Sequence, residues 1–180
     1  MAVEMEGVDE VIASMNKEIM KINGRTQAGF YLAGQHIRRE SQPEVPVVTS
    51  NLKNSAYVVA PGMMTMGRSA FKGKDSAKMS SQHAEETQRQ KAILKAVRTP
   101  GVAIGYSALY AANVHENPRA GKTGGESPSG KKYTAGRTES GRKSRRIVWA
   151  RKGKWKFLED PLKREMKKVF QIIAMKAKIK

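Results

Sequence analysis

Apolar residues in the first forty positions recur at helical spacing. Val8, Val11, Ile12, Met15, Ile19 and Ile22 lie on one stripe, and Phe30, Ala33 and Ile37 resume it. The spacing predicts one long amphipathic helix, or two with a break. Gly24, Gly29 and Gly34 fall in its second half, each weakening an exposed helix by about 1 kcal/mol relative to Ala. Small residues there also admit a neighbouring backbone at close range, so the expectation is a kinked helix packed across a sheet. Pro43 and Pro46 disfavour helix at their own positions and at the residues before them, which places the stop near Ser41. Thr49, Ser50 and Asn51 can bond nearby backbone amides and form a turn. Ser55-Ala56-Tyr57-Val58-Val59-Ala60 then has the composition of a strand.

Residues 61–82 read as a loop, with Pro61-Gly62, Gly67, Gly73 and scattered lysines. Met63, Met64, Met66 and Met79 can adapt to a partner surface or simply pack at the periphery. His83 to Val97 reads as a helix with Ala84, Ile93, Leu94 and Val97 available for packing. Farther on, Ile147-Val148-Trp149-Ala150 and Trp155-Lys156-Phe157 flank Arg151-Lys152-Gly153-Lys154, predicting a hairpin. Its two tryptophans are expected to face the core rather than stack on bases. A last helix should run from Pro161 to about Lys178, with Asp160 capping it and Pro161 in the first turn, where no amide bond is lost. Met166, Val169, Phe170, Ile173 and Ala177 share a stripe, and core packing is a commoner fate for such a helix than a membrane surface.

Charge changes this picture. The net +18 is uneven: residues 1–60 sum to −1 and residues 61–180 to +19. Residues 117–156 hold 13 basic and 2 acidic groups among many Gly, Ser and Thr. Such a segment cannot bury enough apolar surface to fold alone, and reads as a mobile arm or long loop whose partner is a polyanion or an acidic protein surface. At 180 residues, one core and one domain are the default. Cysteine is absent, which excludes disulfides, thiolate metal sites and cysteine nucleophiles. The acidic start lacks the pattern of a signal peptide, and no apolar run approaches the ~20 residues that cross a bilayer.

Catalytic signals are weak. Gly121-Lys122-Thr123 resembles the end of a phosphate-binding loop, but Glu116 stands where that loop needs Gly, and no apolar strand leads in. His36, His83 and His115 are far apart and form no metal-ligand motif. No enzyme, cofactor or metal is expected.

The run from Val45 to Ser55 carries more information. It contains Pro46, Thr49, Ser50, Asn51, Leu52, Lys53 and Ser55 and leads into a strand. This arrangement resembles the signature of the tailed-bacteriophage neck and tail-completion proteins, a family that includes head-tail joining, minor capsid and Z-type minor tail proteins. Val48 and Ser50 depart from the usual Asp and Gly. A second segment also resembles that family, in which a strand like Val102–Tyr106 precedes a Tyr-Ala pair and a Glu ending a short helix. Tyr110, Ala111 and Glu116 match, while Asn117-Pro118 replaces the Gly-containing turn. The third segment, Phe157-Leu158, resembles the opening of the family's last helix, with Pro161 as a departure.

The resemblance implies an α+β fold: a small, largely antiparallel sheet packed by a long N-terminal and a C-terminal helix, with long basic loops. Residues 1–180 would form one neck-protein domain, with 61–99 an inserted loop and helix, for which peripheral packing is the commoner fate and contact with a neighbouring subunit the alternative, and 117–146 a basic flexible arm. It also implies a virion structural protein, made in the host cytoplasm, that assembles into a homo-oligomeric ring at the head-tail junction. A hexamer is preferred to a dodecamer. Its partners would be portal or adaptor proteins on one side and the tail terminator or tail tube on the other, with DNA passing through the channel and no membrane contact. Beyond the resemblance, Arg137, Arg142, Lys143, Arg145 and Arg146 are expected to dock the arm into an acidic groove of an adjacent ring. The competing role is contact with DNA phosphates, which would slow genome ejection and make binding steeply salt-dependent. Composition alone supports another class, a basic nucleic-acid-binding protein.

Overall fold

The computed structural model describes residues 8–47, 50–65, 70–97, 99–118, 120 and 153–178. Helix α1 spans Val8–Ser41 without a break, and a short 3-10 turn over Gln42–Glu44 follows. Ahead of Pro46, Val45 is extended (φ −68°, ψ 126°), the conformation a following proline imposes. The helix therefore stops where the prolines require.

Of the three glycines expected to weaken α1, Gly29 and Gly34 are contact points, whereas Gly24 meets nothing within 4 Å. A Cβ on Gly29 would lie 3.1 Å from the Ile173 backbone, and one on Gly34 would lie 2.9 Å from both Val58 and Val102 side chains. The first contact is with α5 (Glu159–Ala177). Pairing of Gly29 with Ile173 and of His36 with Glu165 makes α1 and α5 antiparallel.

The second contact is with a three-stranded sheet ordered β2-β1-β3, where β1 is Ala56–Ala60, β2 Met63–Thr65 and β3 Ala103–Tyr106. Both pairings are antiparallel; Ala60 faces Met63 and Tyr57 faces Gly105. Every residue of β1 is buried, because helices cover both of its faces. Val58 points to α1, and Tyr57, one residue away and on the opposite face, meets α3 (Ser76–Val97). The fold class is thus α+β, as expected.

Several expectations need correction. Residues 61–82 are not one loop: Pro61-Gly62, with Gly62 at φ +75°, turns the chain into β2, and α3 begins at Ser76. Helix α3 does not pack through Ala84, Ile93 and Val97, which are exposed, and Leu94 is half-buried. Its buried residues are His83 and Thr87. The hairpin expected around residue 152 has no second strand, since Trp155–Leu158 forms a turn. Trp155 is 39% exposed and not in the core; Ile147–Ala150, with Trp149, lies outside the described residues. Asp160 does not cap α5. The helix opens at Glu159 after Leu158 with no side-chain cap, and Asp160 instead accepts a 2.8 Å bond from Lys154 Nζ. Pro161 sits buried in the first turn, where its missing N–H costs nothing.

The main cluster of buried apolar residues joins distant parts of the chain: Val45, Leu52, Ala108, Ala111, Val114, Ala120 and Phe157. Ala111 and Val114 come from the short helix α4 (Ala111–His115), and Leu52 from α2 (Asn51–Asn54).

Candidate functional site

The three segments that carry the resemblance share one buried cluster, which includes Phe157. This ring is 1% exposed and lies edge-on to Tyr106 (centroids 5.1 Å apart) and to His115 (5.0 Å). Leu52 of the first segment and Ala111 of the second pack in the same cluster. Leu158 borders it, Pro46 is fully buried, Tyr110 and Glu116 face outward, and Thr49 lies outside the described residues.

The first segment is held by its polar residues. Ser50 adopts a left-handed conformation (φ 66°), and the turn expected here takes the form of a single helical turn opened by Asn51. Buried Asn51 donates from Nδ2 to the Lys72 carbonyl (2.9 Å) and accepts from the Lys72 amide (2.8 Å). It thereby fastens the stretch between β2 and α3 to the first segment. Ser55 Oγ donates to the Leu52 carbonyl (2.8 Å), closing the turn before β1. The Ser107 amide then donates to the Ser55 carbonyl (2.9 Å), which ties the end of β3 to the start of β1.

Residues 153–158 lace the first segment to the second. Gly153 has φ +103° and passes so close to Pro46 that a Cβ would stand 2.5 Å from its backbone. The Lys154 amide donates to the Glu44 carbonyl and the Lys156 amide to the His115 carbonyl, each at 2.8 Å. Lys156, itself at φ 56°, places its ammonium 2.7 Å from both Glu116 and Glu159. Hydrogen bonds from Lys156, then Lys163, hold the Glu159 carboxyl down to about 2, and those from Lys156, then His115, lower Glu116. Lys156 is raised correspondingly, first by Glu116. His115, Glu116 and Glu159 lie close enough to share a cation. Lys156 already occupies that role, so the group reads as an ion-pair clamp.

The opposite face of the sheet is closed by a second polar junction. His83, 1% exposed, bonds Ser107 Oγ through Nδ1 (2.7 Å), while its Nε2 has no partner. Burial, then the charge of Arg38, pushes its pKa down. Burial raises the Tyr57 and Tyr106 hydroxyls to about 12, and Tyr106 shares a 2.6 Å bond with Ser41. Sequence reasoning missed His83, Gly153 and Lys156. A lone histidine in a polar helix and a glycine in a basic run carry no local mark of these positions.

Large apolar surfaces remain open. Val11 (59% exposed), Ile12, Met15 and Ile19 on α1, and Met166 and Phe170 (64%) on α5, face solvent. Each stripe is covered only in part: Ala33 and Ile37 of α1 are core as expected, Val169, Ile173 and Ala177 of α5 are half-buried, and the residues named above are not covered. The cause is geometric: the end of α5 lies beside Gly29, so the first turns of α1 project beyond it. Arg137, Arg142, Lys143, Arg145 and Arg146 lie outside the described residues. Among the described residues no helix is long and apolar enough to cross a membrane. No family model, no curated protein and no solved structure matches the chain.

Proposed function

We propose that this protein is a virion structural component of the head-tail junction of a tailed bacteriophage, working mechanically as one subunit of a ring. One observation carries the reading. Segments around residues 46–55, 110–116 and 157–158, which resemble the neck and tail-completion family in order and spacing, each contribute to one buried apolar cluster, through Leu52, Ala111 and Phe157. The exposed apolar stripes of α1 and α5 add support, because contiguous apolar surface of this kind marks an assembly face. The polar groups gathered at the junction are engaged with one another in bonds that hold segments together, which suits a scaffold. In this reading a hexameric ring joins portal or adaptor to the tail terminator or tube, leaves an axial channel for DNA, and has its home in the virion.

The test is electron microscopy of lysates from the parent virus with this gene deleted. Filled heads beside unattached tails are the expected result. Normal particles would overturn the reading, and a steep salt dependence of duplex binding by the isolated chain would then put nucleic-acid binding in its place.

A further inference from the structure

We infer that the projecting N-terminal end of α1 docks into a basic cleft on a second copy of this chain, head to tail. The inference rests on the ring reading above and deepens it by naming the two surfaces that meet.

The donor surface is the start of α1. Residues 8–21 extend about 21 Å at helical rise, and Val11, Ile12, Met15 and Ile19 form an uncovered stripe along them. Its first turn carries Asp9 and Glu10. Glu4 and Glu6 precede them in sequence, and no Lys or Arg occurs before Lys17. In a chain of net charge +18 this is a concentrated acidic end. Among the described residues neither Asp9 nor Glu10 makes an ion pair.

The acceptor lies at the other end of the same helix. Gln35, Arg38, Arg39 and Gln42 of α1, with Lys53 and Asn54 of α2, line a cleft of about 420 Å³ that, among the described residues, holds three cations and no carboxylate. Arg38, Arg39 and Lys53 make no ion pair among the described residues, whereas nearby Arg164 is matched by Glu44 and Glu40. Arg38 Nε is buried with no hydrogen-bond partner. Leu32, 40% exposed, lies a turn or two before Gln35 and Arg39 on the same helical face and offers an apolar anchor beside the charges.

Helix geometry dictates that the contact is intermolecular. Residues 10 and 38 belong to one unbroken helix and stand about 42 Å apart along it, so the acidic end cannot reach its own cleft. Two different patches meeting head to tail propagate, and a suitable rotation closes them into a ring.

Sedimentation velocity over a concentration series at low salt tests this with four chains: wild type, Asp9→Lys with Glu10→Lys, Arg39→Glu with Lys53→Glu, and the combined fourfold variant. Wild type should associate, and each double variant should do so roughly tenfold or more weakly. An equal mixture of the two double variants should recover association, as should the fourfold variant alone, because each restores opposite charges across the contact. Thermal melts by circular dichroism confirm that all four chains fold. A wild type that stays monomeric, double variants that associate like wild type, or a mixture that recovers nothing would each overturn the inference. Loss of duplex DNA binding in Arg39→Glu with Lys53→Glu, with association unchanged, would overturn it too and make phosphate the occupant. The ring reading fails separately, by normal particles from the gene deletion. Intact necks built by the double variants would sink this contact while leaving that reading in place.

Discussion

Replacing Gly153 with Ala should be far more damaging than the size of a methyl group suggests. The residue sits at φ +103°, a region that costs an L-residue about 1–2 kcal/mol. The new Cβ would also stand 2.5 Å from Pro46 Cα and N and 2.7 Å from the Val45 carbonyl carbon. These are backbone atoms and cannot rotate away, so relief requires the two segments to separate, at an overpacking cost of about 1–3 kcal/mol. A gain of about 0.4–1 kcal/mol from the stiffer unfolded chain offsets part of this. The net expectation is a loss of about 1–5 kcal/mol, against a typical total of about 5–15 kcal/mol. Gly73→Ala and Gly62→Ala serve as internal controls: φ is +93° and +75° there, but nothing lies within 4 Å of the added carbon. Urea unfolding of the three variants therefore separates conformational strain from close approach, and Gly153→Ala should exceed its controls by about 1–3 kcal/mol. If the segment instead detaches locally, the amides of Lys154 and Lys156, bonded to Glu44 and His115, should lose hydrogen-exchange protection. Equal destabilisation in all three variants, with those amides still protected, would refute the crossing as the link between the first and second segments.

Three further outcomes are expected. Gly29→Val forces Cβ against the Ile173 backbone and should cost about 1–3 kcal/mol in urea unfolding, whereas Gly24→Ala, with nothing within 4 Å, should stabilise α1 by up to about 1 kcal/mol. Asn51→Ala leaves the Lys72 amide and carbonyl without their partner and should cost about 1–3 kcal/mol, with faster exchange of the Lys72 amide as its local mark. His83 has its folded-state pKa depressed, first by burial and then by Arg38, so below the ordinary histidine value of about 6.5 the unfolded chain binds the extra proton first. Stability should accordingly be full above that value and fall as pH drops through the depressed one. His83→Gln should flatten this part of the profile, measured as urea midpoint against pH, and an unchanged slope would remove His83 as its cause.

How much was legible in the sequence depended on whether the cause was local. The end of α1 at Ser41 and the strand from Ala56 follow from prolines, turn formers and β-branched residues acting on their own backbone, and they stand where expected. The stripe Val11, Ile12, Met15 and Ile19 was legible as a helix but not as an exposed one. Periodicity says that a face is apolar and is silent on what covers it; here the short reach of α5 decides. Gly29 and Gly34 looked like helix weaknesses because propensity is local, yet their use is set by Ile173, Val58 and Val102, distant in sequence. Helix α3 reverses the usual rule, with His83 and Thr87 inside and Ile93 and Val97 outside. His83 is held there by its bond to Ser107 Oγ and by ring contacts with Tyr57 and Phe71, and the Thr87 hydroxyl is satisfied by the Ala84 carbonyl.

The candidate site divides along the same line. By itself the sequence determined which residue types sit in the three motif segments, their order, and the charge imbalance between an acidic start and a basic remainder. It could not determine that those segments share one buried cluster, that Gly153 crosses Pro46, or that Lys156 bridges Glu116 and Glu159. Nor could it show that one helix carries an acidic end and, about 42 Å away along its axis, a basic cleft whose cations make no ion pair among the described residues. Backbone preference and charge are properties of a residue and its nearest neighbours; convergence, close approach and ion pairing are properties of where the folded chain brings distant residues.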